Sequence, residues 1–239
     1  ADGYTIAIGG MTTHILAPIV YAHIPYDPIK DFRSLGAIGT SSILMVANND
    51  FPANNLAELK ALAKSRTEPI QYASWGYGST GNFCGEVLVQ KAGIPLQHIS
   101  YKGTSQVITD LLGGHISVGF VDMATGTPFV RDGKLKGLAV CTRHSPSVPN
   151  VKSYKEQGID FDRELNWAMY VPAGTPQPIV DKLSSTLEQT LKEPETIAKL
   201  LSLGITAKYI PGPEHEKANA EDAVIWRKIA QQANIKLQE

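Results

Sequence analysis

The sequence predicts an α/β protein, and two observations lead to this prediction. Short segments rich in β-branched and aromatic residues alternate with segments in which apolar residues recur at helical spacing. Turns rich in glycine or hydroxyl groups follow several of the strand-like segments and precede helical ones. Alternation of this kind is typical of sheets covered by helices, and we therefore expect a largely parallel sheet.

Seven segments are predicted as strands from their content of β-branched and aromatic residues. They are Tyr4–Ile8, Ile43–Ala47, Ile70–Ala73, His98–Tyr101, Ile116–Val121, Leu135–Val140 and Trp167–Val171. Helical spacing predicts the intervening elements, and one of them begins after Asn54 or Asn55, either of which can serve as N-cap. Thr175 is expected to cap a later helix, with Pro176 at its first position. The predicted helical segments are Leu56–Ala63, Cys84–Ala92, Val107–Leu112, Ile179–Leu191, Glu195–Leu203 and Pro213–Ala233.

Composition limits the classes of protein. The chain has 239 residues, of which 43% are hydrophobic and 19% charged, so it suits one large domain or two modest lobes. The formal net charge is −1, and basic residues form no stripe, which argues against a nucleic-acid partner because phosphate neutralisation supplies most of such affinity. No apolar run approaches the ~18 residues of a membrane span. The sequence opens without a secretory signal, which fits a cytosolic protein or a processed exported one.

Cysteine and histidine give no sign of a metal or redox centre. Cys84 and Cys141 are far apart and lack a C-x-x-C neighbour, so we expect two free buried thiols. A disulfide would require their Cα atoms to lie within ~7 Å, which spacing alone does not tell. The six histidines show no i, i+4 pair, and no metal or other cofactor is predicted.

The segment 74–82 is the most informative loop, because it follows a predicted strand and precedes a predicted helix. A glycine-rich turn at this position leaves backbone N–H groups free at the positive end of the helix dipole. Hydroxyl groups add further donors, so we expect the turn to bind an anion. The alternative is that Ser79 or Thr80 only caps the helix. The candidate ligand residues of this turn are Ser74, Gly76, Gly78, Ser79 and Thr80.

Catalytic and nucleotide-binding motifs are not completed in this turn. Its glycines match G-x-G-x-x-G, but the next predicted strand ends without the acidic residue that would hold a ribose. Tyr77 stands where the G-x-S-x-G nucleophile elbow needs a glycine, and no phosphate-binding loop with its lysine is present. We therefore expect no catalytic residue, and a small α/β hydrolase or transferase is the rival hypothesis.

Three other polar turns follow predicted strands. Thr12 and Thr13 follow the first strand, Tyr101 and Lys102 the fourth, and Asp122 the fifth. Ligands of open α/β sheets lie beyond the carboxyl ends of strands, where all these turns would be. Each turn also has a plainer interpretation: a helix start for the threonines, a solvated side chain for the lysine and a helix cap for the aspartate.

Ordered sequence matches then point to one family. They cover essentially the whole chain, and together they resemble the substrate receptors of tripartite tricarboxylate transporters, the Bug family. The matching segments are 1–5, 26–32, 72–82, 101–103, 110–115, 133–135, 138–140, 172–176 and 179–180.

The resemblance implies a periplasmic binding protein-like fold of two α/β lobes joined by two crossover strands, near Ile43–Ala47 and Trp167–Val171. One lobe would comprise residues 1–45 and 168–239, and the other residues 46–167. It further implies a non-catalytic periplasmic receptor for a small carboxylate, either a di- or tricarboxylate, an acidic amino acid or an aromatic acid. Two membrane subunits of a transporter would be its partners. The ligand loops map to Thr12 and Thr13, Ser74 to Thr80, Tyr101 and Lys102, and Asp122.

The sequence departs from the family pattern in two places. A strand, a ligand loop with its helix and a further strand normally precede the segment that begins at Asp2, and this sequence does not contain them. We therefore expect an incomplete first lobe with poor or absent ligand affinity, whose open edge is covered by self-association or by a further segment of the protein. Trp75 and Tyr77 stand in the glycine turn where the family has small or polar residues, which indicates a flat or aromatic ligand. The sequence is also compatible with a receptor-like relic that no longer binds, or with the effector-binding half of a transcription regulator.

Overall fold

The computed structural model describes residues 4–235 and divides the chain into two compact units. Unit 1 comprises Ala1–Ser41 and Leu165–Glu239, and unit 2 comprises Ser42–Glu164. The chain therefore leaves unit 1 after Ser41 and enters it again at Leu165. The sequence-based boundaries, at residues 45 and 168, lie four and three residues further along the chain.

Residues 4–235 form nine β-strands and eight α-helices, and the sequence missed two of the strands. The strands are β1 (Ala7–Gly10), β2 (Phe32–Ser41), β3 (Ile43–Ala47), β4 (Ile70–Ser74), β5 (Leu96–Ser100), β6 (Val118–Asp122), β7 (Lys136–Val140), β8 (Leu165–Pro172) and β9 (Ile205–Pro211). The α-helices are α1 (Ala17–Val20), α2 (Leu56–Lys64), α3 (Thr80–Val87), α4 (Thr104–Leu112), α5 (Met123–Arg131), α6 (Gln177–Thr190), α7 (Pro194–Ser202) and α8 (Gly212–Gln232). π-Helical segments, Thr12–Leu16 and Leu88–Ala92, flank α1 and α3. None of the helices described is long and apolar enough to cross a membrane.

The sheet of unit 1 has the strand order β1-β8-β2-β9, and all its pairs are antiparallel. The prediction of a largely parallel sheet is therefore wrong for this unit. Parallel neighbours need a crossover connection within the unit. Here β2 carries the chain out of the unit and β8 brings it back beside β2, so the two strands run in opposite directions.

Glycines explain why the sequence did not predict β2. Gly36 has a positive φ of 142°, and a Cβ at this position would lie 2.6 Å from the ring of Tyr209 on β9. Gly39 also lies against the backbone of β9. Glycine is depleted in strands, so residue propensities did not predict a strand here. The same glycines permit the close pairing of β2 with β9.

Unit 1 buries apolar residues where its helices pack against this sheet. α6 packs on one face, where Leu35, Val171, Val180 and Leu187 form a buried cluster. α8 also lies against β2 and contributes the fully buried Trp226. The strand β1 is at the edge of the sheet, and its Ile8 is 62% exposed. The expectation that another chain or segment covers this edge stays a prediction.

The sheet of unit 2 has the order β5-β4-β6-β3-β7 and is half parallel. β4 runs parallel to β5 and β6, whereas β3 is antiparallel to β6 and β7. Ser74 is paired with Ser100, and Ile43 is paired with Asp122. The carboxyl ends of β4, β5, β6 and β7 and the start of β3 therefore lie along one side of the sheet, which we call the carboxyl edge of unit 2.

Helix capping agrees with the sequence at one helix and differs at another. Asn55 caps α2, because its side chain accepts a hydrogen bond from the N–H of Glu58. The predicted cap by Thr175 is wrong: the N-cap of α6 is Pro176, without a side-chain cap. Thr175 lies in the preceding turn, one residue before the N-cap, and its N–H donates to the carbonyl of Pro172. Its buried hydroxyl makes no hydrogen bond.

Cys84 and Cys141 form a disulfide, so the expectation of free thiols is wrong. Their Cα atoms are 5.9 Å apart, within the range that a disulfide requires. Cys84 lies on α3, which contacts β3 and β6, and Cys141 directly follows the edge strand β7. The pairing thus depends on how α3 crosses the sheet, which residue spacing does not reveal.

Reduction of this disulfide should lower the free energy of unfolding of unit 2 by about 4 kcal/mol. The bond joins residues 57 positions apart, and the stabilisation comes mainly from the restricted unfolded chain. Urea unfolding of the oxidised and the reduced protein measures the difference. In a Cys84→Ala/Cys141→Ala double variant the reductant should have no effect. Equal midpoints for the oxidised and reduced wild type would contradict the prediction.

Candidate ligand-binding site

The carboxyl edge of unit 2 brings together most of the predicted ligand residues. Ser74 ends β4, Tyr101 follows β5 and Asp122 ends β6. Because these strands are parallel, the helices that follow them, α3, α4 and α5, all begin at this edge. The first-turn N–H groups of a helix have no acceptor within the helix and carry partial positive charge. The edge therefore gathers three helix N-termini suited to a negatively charged ligand.

Internal hydrogen bonds hold the turn between β4 and α3. The Oγ of Ser79 accepts from the N–H of Asn82 at 3.2 Å and donates to the carbonyl of Gly76 at 2.7 Å. The N–H of Gly78 donates to the side-chain oxygen of Asn82 at 3.0 Å. Ser74 is fully buried, and its Oγ lies 3.1 Å from the oxygens of both Gly76 and Ser79. The two serine hydroxyls are thus engaged in holding the turn, and capping by Ser79 is what the structure shows.

The glycines are required by the backbone of this turn. Gly76 has φ 143° and Gly78 has φ 71°, both in the region that residues with a Cβ rarely adopt. These conformations direct the chain from the strand into the first turn of α3 within a few residues.

Thr80 provides the donors that the turn does not use itself. It is 7% exposed, and its hydroxyl makes no hydrogen bond within residues 4–235. Thr80 and Gly81 occupy the first two positions of α3, so their N–H groups have no acceptor in the helix. A carboxylate oxygen placed here would receive charge-assisted hydrogen bonds.

His98 belongs to the site although the sequence did not indicate it. It stands beside Tyr72 in the parallel register of β5 and β4, and its Nε2 lies 2.7 Å from the Oγ of Ser74. Burial lowers the pKa of His98 from 6.5 to about 4, so the ring is neutral at pH 7. Only the pairing of the two strands could have revealed this contact.

The second turn of the edge carries Tyr101 and Lys102. The hydroxyl of Tyr101 donates to the carboxylate of Asp110 at 2.7 Å, which ties the ring to α4. Lys102 is exposed, and its backbone N–H donates to the side chain of Gln106. The lysine is thus a cation at the edge whose side chain can still reach a ligand.

Asp122 caps the third helix. One carboxylate oxygen accepts from the N–H of Thr125 at 2.8 Å, and the hydroxyl of Thr125 is 2.9 Å from both oxygens. The sequence left binding and capping open, and the structure shows capping. The carboxylate also places a negative charge at the edge.

Thr12 and Thr13 lie in unit 1, where they begin the π-helical segment after β1. Both are exposed. The hydroxyl of Thr13 is 3.1 Å from the N–H and the carbonyl of Gly10 and 2.9 Å from Nδ1 of His14. These contacts hold Thr13 at the start of the helical segment, and the binding role of both threonines stays a prediction.

Ser42 and Thr142 also lie at the carboxyl edge of unit 2, and no sequence pattern indicated them. Ser42 precedes β3, Thr142 comes two residues after β7, and their hydroxyl oxygens are 2.5 Å apart. Arg143, the next residue, is paired with Asp162 at 2.9 Å and with Glu164 at 2.7 Å. These residues are distant in sequence from the glycine turn and meet its edge only through the order of the strands.

The described residues have the two-unit α/β fold of periplasmic binding proteins. Residues 1–235 match the model of TctC, the tripartite tricarboxylate transporter family receptor, and the chain belongs to this family. Its members are binding receptors and not enzymes.

Individual relatives agree with the assignment. The chain is 30% identical over 205 residues to an Agrobacterium vitis protein from the TAR-I ttuE-ttuC' intergenic region; the match covers 85% of this chain and 59% of the relative. It therefore spans about three fifths of that relative's length. Rpa4515 of R. palustris, solved with adipate, superposes with a TM-score of 0.88 at 25% identity, covering 99% of this chain and 80% of that one. The periplasmic binding protein BugD gives a TM-score of 0.83 at 28% identity over the same shares.

Substitution Ser79→Ala should lower the free energy of unfolding by about 1 kcal/mol, because it removes the N-cap of α3. Chemical denaturation of the protein measures the change. Thr109→Ala removes an exposed hydroxyl of the same unit, which bonds only to the carbonyl of Ser105 within α4, and serves as the control. Equal stabilities of the two variants would show that the cap contributes nothing.

The buried histidines should make stability fall with acid in the range between pH 6.5 and about 4. Burial lowers the pKa values of His14, His98 and His215 to about 4, so the unfolded chain binds more protons than the native protein in this window. The stabilisation is complete above pH 6.5 and is lost as the pH falls. Urea unfolding at pH 7 and 5 measures it, and His98→Gln should reduce the difference. A midpoint near 6.5 for His98 in an NMR titration would contradict the prediction.

Proposed function

We propose that the protein is an extracytoplasmic receptor that binds a small carboxylate for a tripartite uptake transporter. The first turn of α3 is the observation that carries this proposal. There the N–H groups of Thr80 and Gly81 and the hydroxyl of Thr80 are left for a ligand, while Ser74 and Ser79 hold the turn in place. Backbone donors at the positive end of a helix dipole favour a carboxylate. The adipate of Rpa4515 and the family of the chain support the same ligand class.

The geometry of Ser74 and His98 supports binding without catalysis. A hydroxyl 2.7 Å from an imidazole nitrogen resembles part of a hydrolase site. A nucleophile must be reached by its substrate, however, and Ser74 is 0% exposed with its Oγ within 3.1 Å of two other oxygens. The pair therefore serves to position the turn.

The disulfide supports a location outside the cytoplasm. Disulfides form and persist in oxidising compartments such as the bacterial periplasm, and thiols stay reduced in the cytosol. Both sulfur-bearing residues are fully buried in unit 2, which is consistent with a structural bond. BugD is a periplasmic binding protein. We infer a periplasmic receptor whose partners are its carboxylate ligand and two membrane subunits of the transporter.

Thr80→Val should weaken carboxylate binding by about 10- to 150-fold, because a hydrogen bond to a charged group contributes roughly 1.5–3 kcal/mol. Valine keeps the shape of the side chain and removes only the hydroxyl. A thermal-shift screen of carboxylates, with adipate among them, identifies a ligand, since binding to the native state alone raises stability. Isothermal titration calorimetry then compares the variants.

The control is Thr186→Val, which removes an exposed hydroxyl of α6 that bonds to the carbonyl of Lys182. It should bind like the wild type. Thermal shifts that are absent for every carboxylate would refute the proposed receptor. Equal affinity of Thr80→Val and the wild type would show that the hydroxyl of Thr80 does not bind the ligand.

A further inference from the structure

Two aromatic side chains, Trp75 and Tyr77, lie in the turn between β4 and α3, and both are half-buried. The six-membered ring of Trp75 lies against the first turn of α3. A Cβ at Gly81 would be 2.7 Å from Cζ3 and 3.0 Å from Cη2 of this ring, so only glycine allows the indole to come so close. Tyr77 packs towards His98, with ring centroids 6.4 Å apart. The indole of Trp75 thus lies beside the first turn of α3, which carries the N–H groups of Thr80 and Gly81.

The position of the indole determines which part of a bound acid would contact it. A carboxylate held by the N–H groups of Thr80 and Gly81 has its carbon skeleton within reach of the indole. Aromatic rings interact most favourably with flat, apolar partners, which they contact by offset stacking or edge-to-face packing. Polar substituents at this point would lose water without gaining a hydrogen bond from the ring carbons.

The charges at the carboxyl edge of unit 2 do not favour an acid with three carboxylates. Asp122 contributes a negative charge there. Arg143 is already paired with Asp162 and Glu164, and so it has little positive charge to offer. Lys102 is exposed, and the described residues form no ion pair with it. Lys102 can therefore pair with a second carboxylate, whereas a third carboxylate would face the negative charge of Asp122 and add repulsion at this edge.

We propose that Trp75 is a specificity-determining residue that selects carboxylates with a flat, apolar body over polyanionic acids. The inference rests on the proposed function, because it concerns the ligand of the same turn. Burying roughly 60 Å² of apolar ligand surface on the indole corresponds to about a tenfold gain in affinity. Replacing the indole with a small side chain should remove this gain for an aromatic acid and leave citrate nearly unaffected.

Calorimetry with benzoate, adipate and citrate tests the proposal on the wild type, Trp75→Ala and Trp75→Phe. We expect benzoate to bind at least tenfold more tightly than citrate. Trp75→Ala should weaken benzoate binding about tenfold and citrate binding less than twofold, and Trp75→Phe should stay within about threefold of the wild type. Leu112→Ala, an exposed apolar residue at the far end of α4, is the control in the same unit.

Tryptophan fluorescence provides a second measurement that does not depend on the stability of Trp75→Ala. The chain has three tryptophans, and benzoate should change the emission of the wild type but not that of Trp75→Phe. Tighter binding of citrate, equal losses for all three acids, or an emission change that persists in Trp75→Phe would each overturn the inference alone. Failure of all three acids, and of every other carboxylate, to bind the wild type would overturn the proposed function as well.

Discussion

Parallel pairing of β4 with β5 and β6 is the constraint on which the candidate site depends. Parallel strands end on the same side of a sheet, and each is followed here by a helix that begins on that side. Three polar turns that are far apart in sequence are thereby placed along one edge, with the positive ends of three helix dipoles. The same pairing sets His98 beside Ser74, although 24 residues separate them.

Within this edge the polar groups divide into those that hold the turns and those that remain for a ligand. Ser74, Ser79 and Asp122 satisfy backbone or side-chain groups of the protein itself. Thr80 makes no such bond among the residues described, although it is almost completely buried. A site of this kind is preorganised, because the groups that bind are held by neighbours that do not, and little conformational entropy is lost when a ligand arrives.

A disulfide and a hydrogen bond connect the carboxyl edge to the rest of unit 2. The unit begins at Ser42 and ends at Glu164, and Ser42 contacts Thr142, which is next to the disulfide-bonded Cys141. The other sulfur comes from α3, the helix that carries the glycine turn. The start of β3, the end of β7 and the candidate ligand turn are therefore linked by one covalent bond and one hydrogen bond. This arrangement restricts movement of α3 relative to the edge strand.

The sequence by itself determined the local elements and the chemistry of the turns. β-Branched segments predicted seven of the strands, Asn54 or Asn55 was expected to cap α2, and the glycines at 76 and 78 indicated a turn between a strand and a helix. These features depend on neighbours within a few residues. Tertiary structure alone decided the antiparallel sheet of unit 1, the disulfide, the contact of His98 with Ser74 and the approach of Trp75 to Gly81. Each of these depends on strand order or on the path of a helix across a sheet, and such long-range contacts leave no periodic pattern in the chain.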